Sequence, residues 1–388
     1  MKKLLILVFL LMAATAWSAT INVSTVSQLH NAVSSGGGNT IVIADGTYRL
    51  NDTLYVNASN VTIRSASGIR ENVVIQGAGM SSGASIGNIF RVAGNNFSLS
   101  DVTLERCGWH TIQIVGVDNP VIRNCVLRDA YEQIVKVSDE DISDNGLVEG
   151  CLFEYTAGIG PQYYIGGVDA HRARNWVVRN NVFRNIISPN TTVAEFAVHF
   201  WGSSSENLVE KNLIINCDRG IGFGLDGRGN TGGIIRNNMI YHANNKGSYA
   251  DASIVLTDSP NSQIYNNTVY MEHGFQWAIE YRFSSTRNIL ITNNLLNKRI
   301  EQRDGASGTV TNNKTNASSG LFVNVSSGDL HLVDSIGGGN SISGLVDDFD
   351  SDIRSGVIDM GADQFSGGVV PPPPPPSLNK PDNFHRVE

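Results

Sequence analysis

Residues 235–238 read Ile-Arg-Asn-Asn, and the same phrase returns along the chain as 264–267 Ile-Tyr-Asn-Asn, 291–294 Ile-Thr-Asn-Asn and 310–313 Val-Thr-Asn-Asn. Upstream it appears as 178–181 Val-Arg-Asn-Asn and, with a thiol in the last place, as 122–125 Ile-Arg-Asn-Cys. Degenerate copies begin at Ile63, Leu99, Val148 and Val209. Successive first residues are 36, 23, 26, 30, 31, 26, 29, 27 and 19 apart. Within each copy apolar and polar residues alternate, the period of a strand. A unit this short cannot bury its own apolar face, but stacked copies can. Variable spacing means that strands keep register while the loops between them change length.

Three places past each first residue stand Val102, Cys125, Cys151, Asn181, Asn212, Asn238, Asn267, Asn294 and Asn313. In a parallel stack each amide donates to one neighbour and accepts from the other, so a buried Asn column satisfies itself. Five places past come Leu104, Leu127, Phe153, Phe183, Ile214, Ile240, Val269 and Leu296, an inward apolar column. The expected fold is therefore all-β, a parallel β-helix solenoid, with the Asn ladder structural rather than catalytic. Cys125 and Cys151 fall on adjacent turns, about 4.8 Å apart. They either bridge or stack as free thiols. Cys107 and Cys217 share another column about 19 Å apart and should not pair.

The N-terminus carries Lys2 and Lys3, an apolar run from Leu4 to Ala14 and small residues to Ser18. That is the pattern of a secretory leader, too short for a membrane span. The expected division is 1–18 leader, 19–365 β-helix, and 366–388 tail, which contains the proline run Pro371–Pro376. A secreted or periplasmic, monomeric protein follows. The formal charge is −8, and losing Lys2 and Lys3 makes it more negative still. A general nucleic-acid partner is excluded, because that needs a basic surface.

Residues 24–34 read as a short amphipathic helix with Ser24 or Ser27 as N-cap and Leu29, Ala32 and Val33 on one face. After it, Gly36-Gly37-Gly38-Asn39-Thr40-Ile41-Val42-Ile43-Ala44-Asp45-Gly46-Thr47-Tyr48 resembles the opening of pectate-lyase-like right-handed β-helices. Val357-Ile358-Asp359-Met360-Gly361-Ala362-Asp363 resembles their closing segment. The resemblance covers residues 20–365 and implies a helix capping the first turn. That fold hosts lyases, hydrolases, epimerases and non-enzymatic adhesins.

The strand before each repeat presents a second face. Its outward residues are Gln113, then Lys136, then Asp169 and His171, then His199 and Trp201, then Val255, then Glu280 and Arg282. Lys136, Asp169, His171, His199 and Trp201 should lie within three turns, about 10 Å. A uronate lyase must neutralise the substrate carboxylate, remove the C5 proton and protonate the leaving oxygen at C4. The family resemblance implies calcium or arginine as neutraliser and lysine or arginine as base. Lys136 fits the base, and His171 or His199 serves as base or acid beside Asp169. Trp201 would stack on a sugar ring. Arg172, Arg174, Arg219 and Arg228 would hold acidic groups, and Glu280 and Arg282 a distal subsite or a surface ion pair. Asp139, Asp141 and Asp144 alternate like calcium ligands before Gly146, or form a solvated acidic loop. A transition-metal site of His171, His199 and Asp169 is a less favoured arrangement. The leading reading is a polysaccharide lyase cleaving an acidic, uronate-containing glycan by β-elimination. A C5-epimerase, a glycoside hydrolase and a non-catalytic carbohydrate-binding surface protein stand as alternatives.

Overall fold

The computed structural model describes residues 19–244 and 250–367. The leader (1–18) and the proline run lie outside the described residues.

Each turn of the chain gives one strand to each of three long sheets. A 12-stranded sheet running from Thr20–Val23 to Gly308–Thr311 contains the repeated Ile-x-Asn-Asn strands. A second sheet has 10 strands, from Gly46–Arg49 to Leu295–Leu296. The third also has 10, from Leu54–Val56 to Arg299–Arg303, and carries the outward row that begins at Gln113. Four two-residue strands, Ser143–Asp144, Ala173–Arg174, Ser204–Ser205 and Asn230–Thr231, widen one corner. Pairing within all of these is parallel; Phe322–Asn324 with Asp329–Leu332 is antiparallel.

The repeat explains the stack. Ile122, Val148, Val178, Val209, Ile235, Ile264 and Ile291 pair in register and are buried to within 1%. The two asparagines that follow have different jobs. The first takes the left-handed backbone that turns the corner, with φ 51° at Asn237, 53° at Asn266 and 57° at Asn293. Asparagine tolerates that conformation better than most residues. The second points inward. Asn181 Nδ2 donates to Asn212 Oδ1 at 3.0 Å, Asn212 to Asn238 at 3.0 Å, Asn238 to Asn267 at 2.9 Å, Asn267 to Asn294 at 3.0 Å, and Asn294 to Asn313 at 2.9 Å. Each Oδ1 also accepts the backbone N–H of the ladder residue one turn earlier, as Asn238 does from Asn212 at 3.0 Å. No polar atom of the column goes without a partner, which is why buried amides are tolerated.

Toward the N-terminus the column continues as Cys151 and Cys125. Both are free thiols, with the Cys125 N–H 3.4 Å from Cys151 Sγ, so the stacked alternative holds and not the bridge. Cys107 and Cys217 are free as well.

The helix spans Val26–Ser34 and buries Leu29, Ala32 and Val33. Its N-cap is Thr25, whose hydroxyl accepts from Gln28 N, and not Ser24 or Ser27. Thr25 holds the extended φ/ψ that an N-cap needs one residue before the first turn.

The C-terminal segment folds back along the side of the stack. The first asparagines of the pairs hold it: Asn237 Nδ2 donates to Asp347 O (3.0 Å), Asn266 to Gly361 O (3.2 Å), Asn293 to Asn340 O (2.7 Å) and Asn312 to Gly338 O (2.9 Å). Phe322, Leu330, Leu332 and Ala362 then cover Met239, Tyr241 and Leu295 on the outside of the second sheet. His331 is clasped between Asp329 (2.5 Å) and Asp350 (2.8 Å). Burial would depress the imidazole, but these carboxylates push it up to about 10.

Replacing Asn238 with Ala leaves the buried Asn212 backbone N–H without its acceptor and takes from Asn267 Oδ1 one of its two donors. Unfolding free energy should fall by roughly 3 kcal/mol, seen as a lower urea midpoint. An unchanged midpoint would mean that the column does not stabilise the stack.

Candidate active site

Register on the third sheet decides which side chains meet. Gln113 pairs with Lys136, Lys136 with Asp169, Asp169 with His199, and His171 with Trp201. Val135, Val137, Val168, Ala170, Val198 and Phe200 alternate with them and are fully buried in the core. The outward row is thereby forced onto one face, on neighbouring turns about 4.8 Å apart.

Asp169 is the centre, at 2% exposure. Its Oδ2 accepts a short hydrogen bond from the Lys136 ammonium and lies 3.6 Å from His171 Nε2. Its Oδ1 accepts from Trp201 Nε1 at 2.7 Å and lies 3.4 Å from His199 Nδ1. Burial would push this carboxyl up. The Lys136 ammonium, followed by the two imidazoles, outweighs burial and holds it well below the usual carboxylate range.

Lys136 also reaches His171 Nε2 at 3.0 Å. The other ring nitrogen, Nδ1, is buried without a hydrogen-bond partner. The Lys136 side chain keeps 13% exposure, so the pair touches the surface through Lys136.

Trp201 is not a free sugar platform. It is 9% exposed, its indole N–H is spent on Asp169, His199 stacks on it (5.1 Å, 6°), and the Arg228 guanidinium lies 3.9 Å above the ring. Its place is to orient Asp169 and to seat Arg228.

The predicted arginines separate. Arg228 is exposed over Trp201, and Arg172 follows His171 with Nη1 3.5 Å from Asp139 O. Arg174 is spent on a two-pronged pair with Asp144 (2.7 and 2.6 Å), and Arg219 on Asp251 (3.1 Å). Glu280 is four register steps from Asp169 and buried between Arg303 (3.2 Å) and Arg282 (3.6 Å). Arg282 pairs with Asp304 at 2.7 Å. This is an ion-pair cluster apart from Lys136.

The acidic loop does not make a calcium site. Calcium takes six to eight oxygens. Asp144 is consumed by Arg174, and Asp141 Oδ1 accepts from Ile142 N at 2.8 Å. The loop is pinned by protein groups: Ser143 O accepts from Trp176 Nε1 at 2.9 Å, and Ser143 Oγ donates to Val117 O. Among the described residues, the group of three His, Cys or acidic donors within ligand reach of one another is His331, Asp350 and Asp363, and Asp139, Asp141 and Asp144 form no such group. Nor do His171, His199 and Asp169, whose carboxylate is already filled by Lys136 and Trp201.

Two residues beside the site carry no signal in the sequence. His110, 7% exposed, directs Nδ1 at Gln133 O (2.7 Å) and Nε2 toward Glu132 (3.7 Å). Burial depresses its imidazole to about 4, the Gln133 carbonyl opposing and Lys136 adding. Glu195 sets Oε2 3.9 Å from His199 Nδ1. Both lie before the strands, in loops whose alternation carries no signal.

No family model and no curated protein matches this chain. Solved structures do. An alginate lyase from Paenibacillus sp. str. FPU-7 aligns at TM-score 0.50 and 17% identity, over 67% of this chain and 99% of its own. Pectate lyase Pel9A aligns at 0.54 and 14%, over 89% and 96%.

The fold is a pectate-lyase-like right-handed parallel β-helix.

On this β-helix the site occupies the outer face of one long sheet, midway along the stack.

Asp169 stabilises the fold through a depressed carboxyl. That contribution is complete above the unfolded value near 4 and is lost as pH falls below it. Asp169→Asn should therefore be less stable than the parent at pH 7, and the gap in urea midpoint should narrow as pH drops through about 4. A gap constant with pH would contradict the assigned ionisation.

Proposed function

We propose that this protein is a secreted or periplasmic, monomeric polysaccharide lyase that cleaves an acidic, uronate-containing glycan by β-elimination. The observation that carries the reading is the Lys136–Asp169–His171–His199–Trp201 cluster. It stands on an outward row where packing requires no charge, yet five side chains converge there. The fold shared with alginate and pectate lyases is consistent with it.

In this reading Lys136, as the free amine, takes the proton from C5. The C5–H electron pair becomes the C4–C5 double bond while the C4–O bond breaks. The leaving oxygen recovers a proton from the Lys136–His171 pair, whose nitrogens are 3.0 Å apart. Asp169 and Trp201 hold Lys136 in place. Arg228, exposed, and Arg172, half-buried, supply positive charge to the substrate carboxylate beside the row. The Asp139–Asp144 loop, which offers no cage, is given no part in this reading.

Purified protein should raise absorbance near 232 nm, the mark of an unsaturated uronate, on one member of a panel of alginate, pectate and glycosaminoglycans. Lys136→Ala should remove at least about 99% of that rate, the share general base catalysis supplies, in protein shown to be folded by its circular dichroism at the assay temperature, since loss of the ammonium also lowers the thermal midpoint by unpairing Asp169. A flat trace with detectable glycan binding would move the assignment to an epimerase, a hydrolase or a binding protein.

A further inference from the structure

Lys136 can act as a base only if Asp169 does not lock a proton onto it. How firmly Asp169 holds that proton depends on the other claims on its charge: His171, which also meets Lys136 at 3.0 Å, and then His199, on the side away from Lys136. His199 is fully buried. Its Nε2 faces Gly224 O at 3.4 Å, and its Nδ1 faces Asp169 Oδ1 at 3.4 Å and Glu195 Oε2 at 3.9 Å. Every polar atom that meets this ring is an acceptor. Only the doubly protonated ring gives each of them a donor. The remaining neighbours are the Trp201 indole, stacked at 5.1 Å, and the Phe196 ring at 4.7 Å. The cations nearby do not touch it: Arg228 lies over Trp201, Arg219 over Phe196 at 5.1 Å, and Lys136 is on the far side of Asp169.

Glu195 is the telling member. It sits just before the strand Phe196–Trp201, its side chain one-fifth exposed, and its Oε2 is turned inward where no donor satisfies it. His199 Nδ1 likewise makes no well-formed hydrogen bond. A buried carboxylate oxygen without a donor is costly, and the titratable group it approaches, at 3.9 Å, is His199. Beside it, Gly166 leaves room: a Cβ there would stand 3.4 Å from Glu195 Cβ and 3.3 Å from Gln133 Cγ.

We propose that Glu195 is a positioning residue of this site: it shares His199 with Asp169, keeps that ring doubly protonated, and so loosens the hold of Asp169 on the Lys136 proton. This rests on the lyase reading, in which Lys136 removes the C5 proton. Glu195 itself touches no reacting atom. Neutralising it removes the anion at Glu195 and with it the cation at His199, the group that faces, at 3.4 Å, the carboxylate bonded to Lys136. Lys136 then keeps its proton to higher pH.

The test is Glu195→Gln, which conserves shape, in the full chain. Two readouts are taken. In ring-nitrogen NMR at neutral pH, assigned against His199→Gln, the parent should show both His199 nitrogens protonated and the variant one of them bare. In elimination assays the acid limb of kcat should move up by roughly half a pH unit, a fall of about threefold on that limb, with KM unchanged. A merely structural role would lower the thermal midpoint without moving the limb. Unchanged ring nitrogens would overturn the proposal, and changed nitrogens with an unmoved limb would overturn its link to Lys136. A parent that shows no elimination, but whose His199 responds to the variant, would sink the lyase reading and leave the Glu195–His199 coupling standing.

Discussion

Parallel stacking at a fixed rise places equivalent residues of successive turns about 4.8 Å apart, and everything else in this molecule depends on that constraint. Inside, it favours columns of like residues. An amide above an amide closes its own hydrogen bonds, and an aliphatic side chain above another buries both. Outside, the same spacing brings unlike residues from distant parts of the sequence within bonding distance. Lys136, Asp169 and His199 come from three turns, yet their Cα atoms pair in one row. The ladder and the site are thus two results of one register. A slip of one residue in any turn would bury charge and expose the apolar row.

That register accounts for what was legible in the sequence. The Asn column, the inward apolar column and the outward row all follow from period and repeat, and Lys136, Asp169, His171, His199 and Trp201 do meet as the alternation implied. The conformational role of the first Asn in each pair was open to the same reading, since residues at a tight corner favour asparagine, but its grip on the C-terminal segment was not. That grip joins Asn237 to Asp347 and Asn266 to Gly361 across about a hundred residues with no shared pattern.

Charge partners outside the row were not legible either. Arg174 and Asp144 both looked available to a ligand. They satisfy each other because their strands at the widened corner are adjacent. Trp201 looked like a platform because it points outward. Outward on this sheet does not mean exposed, since the indole is covered by Arg228 and bonded to Asp169. Glu195 and His110 stand in loops where spacing says nothing about direction. In each case the deciding fact is a rotamer or a loop path, and neither leaves a trace in the hydropathy pattern.

The amide ladder has a further consequence, because it has a direction. Every amide-to-amide bond runs the same way, from Nδ2 of one turn to Oδ1 of the next, while the second Nδ2 proton goes back to a main-chain carbonyl of the earlier turn. All interior rungs are therefore interchangeable. A duplicated turn could be spliced between Asn212 and Asn294, and the new amide would accept from below and donate above without disturbing either neighbour. Chain length measured in turns is then a free variable during descent, limited by the two dissimilar ends and by the C-terminal segment that must reach along the side. The site lies where the column changes from thiol to amide, since Asp169 falls between Cys151 and Asn181. Lengthening the interchangeable region would extend the surface beyond His199 while leaving the Lys136–Asp169 pair untouched.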